Sequence, residues 1–136
     1  MRIGPVFTLV QILVLAGFSI TDALASDVRI LQLPDSVIGT WAPSADDCSG
    51  SGRDAINISA KRHSTADATC EISWVTVTPS RDGPVYSARS ICAKTKGGGG
   101  EPASYLVVTP RPDNKLLVRL PSANPDGELV TYRKCL

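Results

Sequence analysis

Short apolar, β-branched runs separated by polar turn residues mark most of this chain beyond its first 25 residues, and that pattern predicts strands rather than helices. Over Ala55–Ala60, Ile56, Ile58 and Ala60 share one face while Asn57 and Ser59 take the other, as in a half-buried strand. Thr69–Thr78 is denser in β-branched and aromatic residues, but its apolar face changes partway: Cys70, Ile72 and Trp74 fall on one side, Val75 and Val77 on the other. The change predicts a bulge near Trp74, or a strand buried on both faces. Ser80-Arg81-Asp82-Gly83-Pro84 is a turn, so Val85–Lys94 returns beside Thr69–Thr78 as a long hairpin.

Val37–Trp41, Tyr105–Thr109, Lys115–Leu120 and Glu128–Cys135 are further strands, divided by Pro-, Asn- and Gly-containing turns. Lys61–Ala68 fits either the remainder of a strand or a wide loop. About seven short strands at regular spacing, with no helical periodicity after the first 25 residues, make the expected fold all-β: a small antiparallel barrel or sandwich.

The first 25 residues differ from the rest. Met1-Arg2 is a short basic start, Pro5–Ile20 carries no charge, and Ala23-Leu24-Ala25 places small residues where a signal peptidase reads them. Cleavage between Ala25 and Ser26 is expected. The apolar run falls short of the ~20 residues that span a bilayer, so residues 1–25 are read as a signal peptide and 26–136 as one small domain, periplasmic or secreted, without stable membrane anchoring. Loss of Arg2 and Asp22 leaves the net charge at +1. The basic residues are scattered, which excludes a nucleic-acid footprint.

Export changes the meaning of the cysteines. Cys48, Cys70, Cys92 and Cys135 all lie beyond the leader, and in an oxidising compartment four cysteines on a chain of roughly 110 residues form a disulfide framework. Three connectivities are open. Neighbouring strands favour Cys70 with Cys92, leaving Cys48 to tie the region after the first strand to Cys135 at the end of the last. Zinc is disfavoured, since no C-x-x-C pair exists and His63 is the only histidine.

No catalytic, cofactor or metal constellation is found. His63 sits in the polar run Lys61-Arg62-His63-Ser64 and is expected to be a solvated loop residue; Gly50-Ser51-Gly52 lacks the strand-turn-helix context of a nucleophile elbow. The four glycines Gly97 to Gly100 match no phosphate-binding pattern. Asp46-Asp47 is a solvated turn without calcium-loop spacing. An enzyme is therefore not expected. Beyond the leader the aromatics are Trp41, Trp74, Tyr86, Tyr105 and Tyr132, and both tryptophans are expected in the core.

Gly39-Thr40-Trp41, a G-x-W on the first strand of a small exported β-protein, resembles the opening motif of the calycins, the barrels that include lipocalins and small bacterial inhibitors of secreted metalloproteases. The resemblance implies that Trp41 closes one end of the barrel and that Arg133, in Tyr132-Arg133-Lys134-Cys135, packs across its ring. It also offers Ser26–Pro34 as a strand entering a protease cleft, although an edge strand or first turn packed on the barrel is the expectation. More broadly, the layout of G-T-W-A-P, a mid-chain Cys, a G-P-x-Y-S-A-R return strand and a Tyr-Arg-Lys-Cys terminus resembles a group of short exported proteins of alphaproteobacteria. That implies export, disulfides and compactness, and no site residues. The expected function is a monomeric, non-catalytic binding module for another exported protein; a carrier of a small apolar ligand is the alternative.

Overall fold

The computed structural model describes residues 26–49, 54–94, 103–120 and 127–136. The leader and its Ala25/Ser26 junction, Gly50-Ser51-Gly52, Gly97 to Gly100 and most of the turn before Glu128 lie outside them. Among the described residues nine strands form: β1 (Val28–Ile30), β2 (Gly39–Ala42), β3 (Ile56–Ile58), β4 (Arg62–Ser64), β5 (Ala68–Thr78), β6 (Val85–Lys94), β7 (Ser104–Arg111), β8 (Lys115–Arg119) and β9 (Val130–Lys134). The other elements are single 3₁₀ turns at Asp35–Val37 and Asp46–Cys48.

Strands β2 to β9 run up and down in chain order, every neighbour antiparallel, and the pairing of β9 with β2 closes them into an eight-stranded barrel. Closure removes the sheet edges that a sandwich would leave. Lys61–Ala68, open to two readings in the sequence, supplies β4, whose His63 pairs with Cys70.

The bulge is real, and it decides which residues face inward. Ile72 lies opposite Ser90, yet Trp74 lies opposite Arg89, so Ser73 is the extra residue on β5. Strand β6 keeps Ala88, Ser90 and Cys92 buried without interruption; on β5 the buried set shifts from Cys70 and Ile72 to Val75. Trp74 is thereby turned to the outer wall.

β4 pairs only with the first part of β5, at Thr69 to Glu71, and β1 takes over the same edge beyond the bulge, at Val75 to Val77. The N-terminal segment therefore begins as an edge strand, the first of the two expected arrangements. From β1 the chain crosses one mouth of the barrel: Leu33 N–H donates to the Ala60 carbonyl in the β3–β4 turn at 2.8 Å, and Asp35–Val37 packs against β7 on the far side. Leu33 and Val37 are buried there.

The interior is one contiguous cluster, with Trp41, Ile56, Ile58, Ile72, Val75, Leu106, Val108, Leu116, Val118 and Tyr132 packed around Leu33 and Val37. An eight-stranded barrel is just wide enough for such side chains to fill. Asp113 and Asn114, at φ 62° and 53°, make the tight β7–β8 turn, in which short polar residues tolerate the left-handed backbone.

Candidate functional site

Both disulfides join the expected partners: Cys70 to Cys92, directly opposite each other on β5 and β6, and Cys48 to Cys135. No cysteine is free. Two disulfides mark a chain that meets an oxidising compartment, and among the described residues no helix is long and apolar enough to cross a membrane.

At the closing seam, Trp41 is buried and its indole N–H donates to the Val37 carbonyl at 2.9 Å. Trp41 thus fixes the strap across the barrel mouth. The cation over its ring is Lys134, not Arg133: Nζ lies 5.5 Å from the ring centroid. The register is the reason, since Trp41 lies opposite Lys134 while Arg133 lies opposite Ala42 and points to solvent. Gly39 explains the rest of the motif. It has φ +143°, and a Cβ there would come within 2.9 Å of the Lys134 Cε; the missing side chain is the channel along which the lysine stem reaches the indole. Burial, with Asp54 and Asp47 nearby, pushes the adjacent Tyr132 hydroxyl above its ordinary range, so it stays protonated.

His63 is not a solvated loop residue. On β4 it points into the barrel, 2% exposed, because Ile58 and Cys70 flank it in the sheet and their faces are buried. Its Nε2 lies 3.0 Å from Ser90 Oγ, and Ser90 Oγ donates to the Ala88 carbonyl at 3.4 Å. Ser90 is thus the ring's hydrogen-bond partner, and Nδ1 has none among the described residues. Burial lowers the pKa of His63 to about 4, so the ring is neutral at pH 7. Among the described residues no carboxylate orients the ring, so the pair there lacks the third member of a nucleophilic triad. A His63 ring nitrogen and the sulfurs of Cys70 and Cys92 lie within 4.8 Å of one another, but the sulfurs are bonded to each other and offer no thiolate.

Trp74 is the larger departure from expectation, since it is no core residue. Arg29 of β1 and Arg89 of β6, from the strands on either side of β5, place their guanidinium carbons 4.7 and 4.5 Å from its ring centroid. Arg89 also donates to Ser73 Oγ at 3.4 Å. Tyr105, half exposed, lies opposite Arg89 on β7, and Ile91, likewise half exposed, follows two residues along β6. The result is a row of Arg, Trp, Arg and Tyr across four adjacent strands of the outer wall. Sequence alternation placed Trp74 with Cys70 and Ile72; only the exact position of the bulge could have revealed the row.

No protein-family model, curated protein or solved structure matches the chain.

The remaining surface chemistry is ordinary. Arg62 pairs with Glu71 at 2.6 Å on the exposed wall, an ion pair of little energetic weight. Asp46 and Asp47 form the short turn before Cys48, where Ser44 Oγ donates to Asp47 Oδ2 at 2.6 Å. That is a local cap rather than a ligand cage.

Proposed function

We propose that this chain is an exported, monomeric, non-catalytic module that binds another exported protein through its outer surface, residues 1–25 being a signal peptide that directs it to the periplasm or beyond. One observation carries the reading. The barrel interior holds one apolar cluster together with the His63–Ser90 pair, and one mouth is crossed by the Leu33–Val37 strap, so the side chains most available to another molecule are outside. Those include aromatic and arginine groups, the types that anchor protein interfaces.

The non-catalytic reading is supported by the sealed, neutral state of the only imidazole in the chain. A calycin-like relationship is supported by the eight-stranded meander, by G-x-W on the strand that closes it, and by the cation over that Trp. Within that relationship the apolar side chains packed inside the barrel, Trp41, Leu106 and Leu116 among them, favour protein binding over carriage of a small apolar ligand.

Native mass spectrometry of the protein purified gently from its own cell envelope tests the proposal. The expected result is a chain beginning at Ser26 that co-purifies with a second protein in defined stoichiometry. A retained small-molecule mass would replace the module with a carrier.

A further inference from the structure

We propose that the Arg29–Trp74–Arg89–Tyr105 row is a docking surface for an acidic, carboxylate-rich segment of a partner protein. The inference rests on the protein-binding reading above and names the partner's chemistry. Two guanidinium groups beside one indole bring like charges together beside Ser73, Ser87 and Thr76, and Glu71, opposite Ile91 at one end of the row, is already paired with Arg62. Among the described residues neither arginine has a carboxylate partner, whereas Arg62 and Arg111 pair with Glu71 and Asp82. Among the described residues the arrangement lacks its counter-charge.

Stacking also prepares the arginines for one kind of ligand. A guanidinium lying on an aromatic ring spends its face on the ring and keeps its in-plane N–H groups for a carboxylate fork. With the Arg side chains already ordered by Trp74, less rotamer freedom is lost on binding. Tyr105 and Ile91 extend the row with apolar surface, 51% and 50% exposed, which suits a polypeptide carrying both carboxylates and apolar side chains. A nucleic acid fits less well: the chain's net charge of +1 does not build the extended positive field that a phosphate backbone requires.

The two tryptophans provide the test, because their indole N–H resonances report the surface and the core separately. The purified, isotope-labelled protein is titrated with an eight-residue peptide alternating Glu and Val, with its Gln-for-Glu counterpart, and with an octanucleotide of single-stranded DNA. The Glu peptide is expected to shift the Trp74 indole and leave Trp41 in place. Arg29→Gln with Arg89→Gln should weaken that binding by about tenfold or more, and Arg29→Lys with Arg89→Lys by a smaller factor. An unmoved Trp41 resonance certifies that each variant is folded.

Equal binding of the Gln peptide, tighter binding of the DNA, or a Trp74 resonance unmoved at millimolar Glu peptide would each overturn the proposal. A co-purifying partner whose complex survives the double Gln variant at full affinity would also overturn it, while leaving the protein-binding reading intact.

Discussion

The seam where β9 meets β2 and the ribbon of β5 with β6 each hold a tryptophan, a cation over its ring and a disulfide, and use them oppositely. The seam is short: β2 and β9 pair only at Trp41 opposite Lys134 and Ala42 opposite Arg133, and the Cys135 N–H adds a bond to the Thr40 carbonyl at 2.8 Å. The ribbon spans an 11-residue strand and a 10-residue one. A seam held by so few ladder bonds needs help, and it has a buried Trp, a stem threaded past Gly39 and a covalent bond just beyond. The ribbon holds itself, which frees its Trp for the outer wall.

Removing the disulfides should separate the seam from the ribbon most strongly. Cys48→Ala with Cys135→Ala opens a sequence separation of 87 residues and is expected to cost about 4–5 kcal/mol, against about 3 kcal/mol for Cys70→Ala with Cys92→Ala, whose separation is 22. Urea midpoints of the two double variants decide it. If the ribbon pair costs as much as the seam pair, the seam has no special need of its bond.

The tryptophans come next. Trp41→Ala empties a core site and loses the strap contact, so about 4 kcal/mol is expected. Trp74→Ala removes a half-buried ring and two stacked cations, for about 1 kcal/mol. Similar losses at the two positions would mean that Trp74 is structural after all.

His63 sharpens the contrast inside the ribbon. Its folded pKa of about 4 lies below the ordinary 6.5, so the unfolded chain takes up the proton first as the pH falls. Stability is unaffected by this group above pH 6.5 and declines from there to about pH 4, by about 3 kcal/mol in total. His63→Gln, which can still reach Ser90, should flatten that part of the pH–stability curve measured by urea unfolding. An unchanged slope would show that the acid sensitivity belongs to other groups.

Much of this was legible in the alternation itself. The strands at Ala55–Ala60, Thr69–Thr78 and Val85–Lys94, the hairpin turn and the disulfide pairing follow from period and position, because a half-buried strand must repeat every two residues. His63 was missed because β4 is three residues long, too short for alternation to outweigh a polar neighbourhood; its burial comes from the strands on either side. Trp74 was missed because one inserted residue exchanges the two faces of a strand. Barrel and sandwich could not be separated, since the distinction lies in whether β9 reaches β2, and alternation says nothing about the partner of a last strand.

The smallest effect bears on the seam at single-residue resolution. Arg133 and Lys134 are adjacent basic residues, and the resemblance to calycins pointed to the first of them. In the barrel Lys134 lies against Trp41 and Gly39 while Arg133 is exposed. Lys134→Ala should therefore cost about 1 kcal/mol through lost packing and cation–π attraction, whereas Arg133→Ala should stay within about 0.5 kcal/mol of the parent. The two variants remove the same formal charge from neighbouring positions, so long-range electrostatics nearly cancels between them. Lys134→Met then separates stem from charge: if the aliphatic stem carries the effect, the Met variant recovers most of the loss. A larger loss at Arg133 than at Lys134 would place β9 one residue out of register with β2, and with it the side on which every residue from Val130 to Lys134 faces.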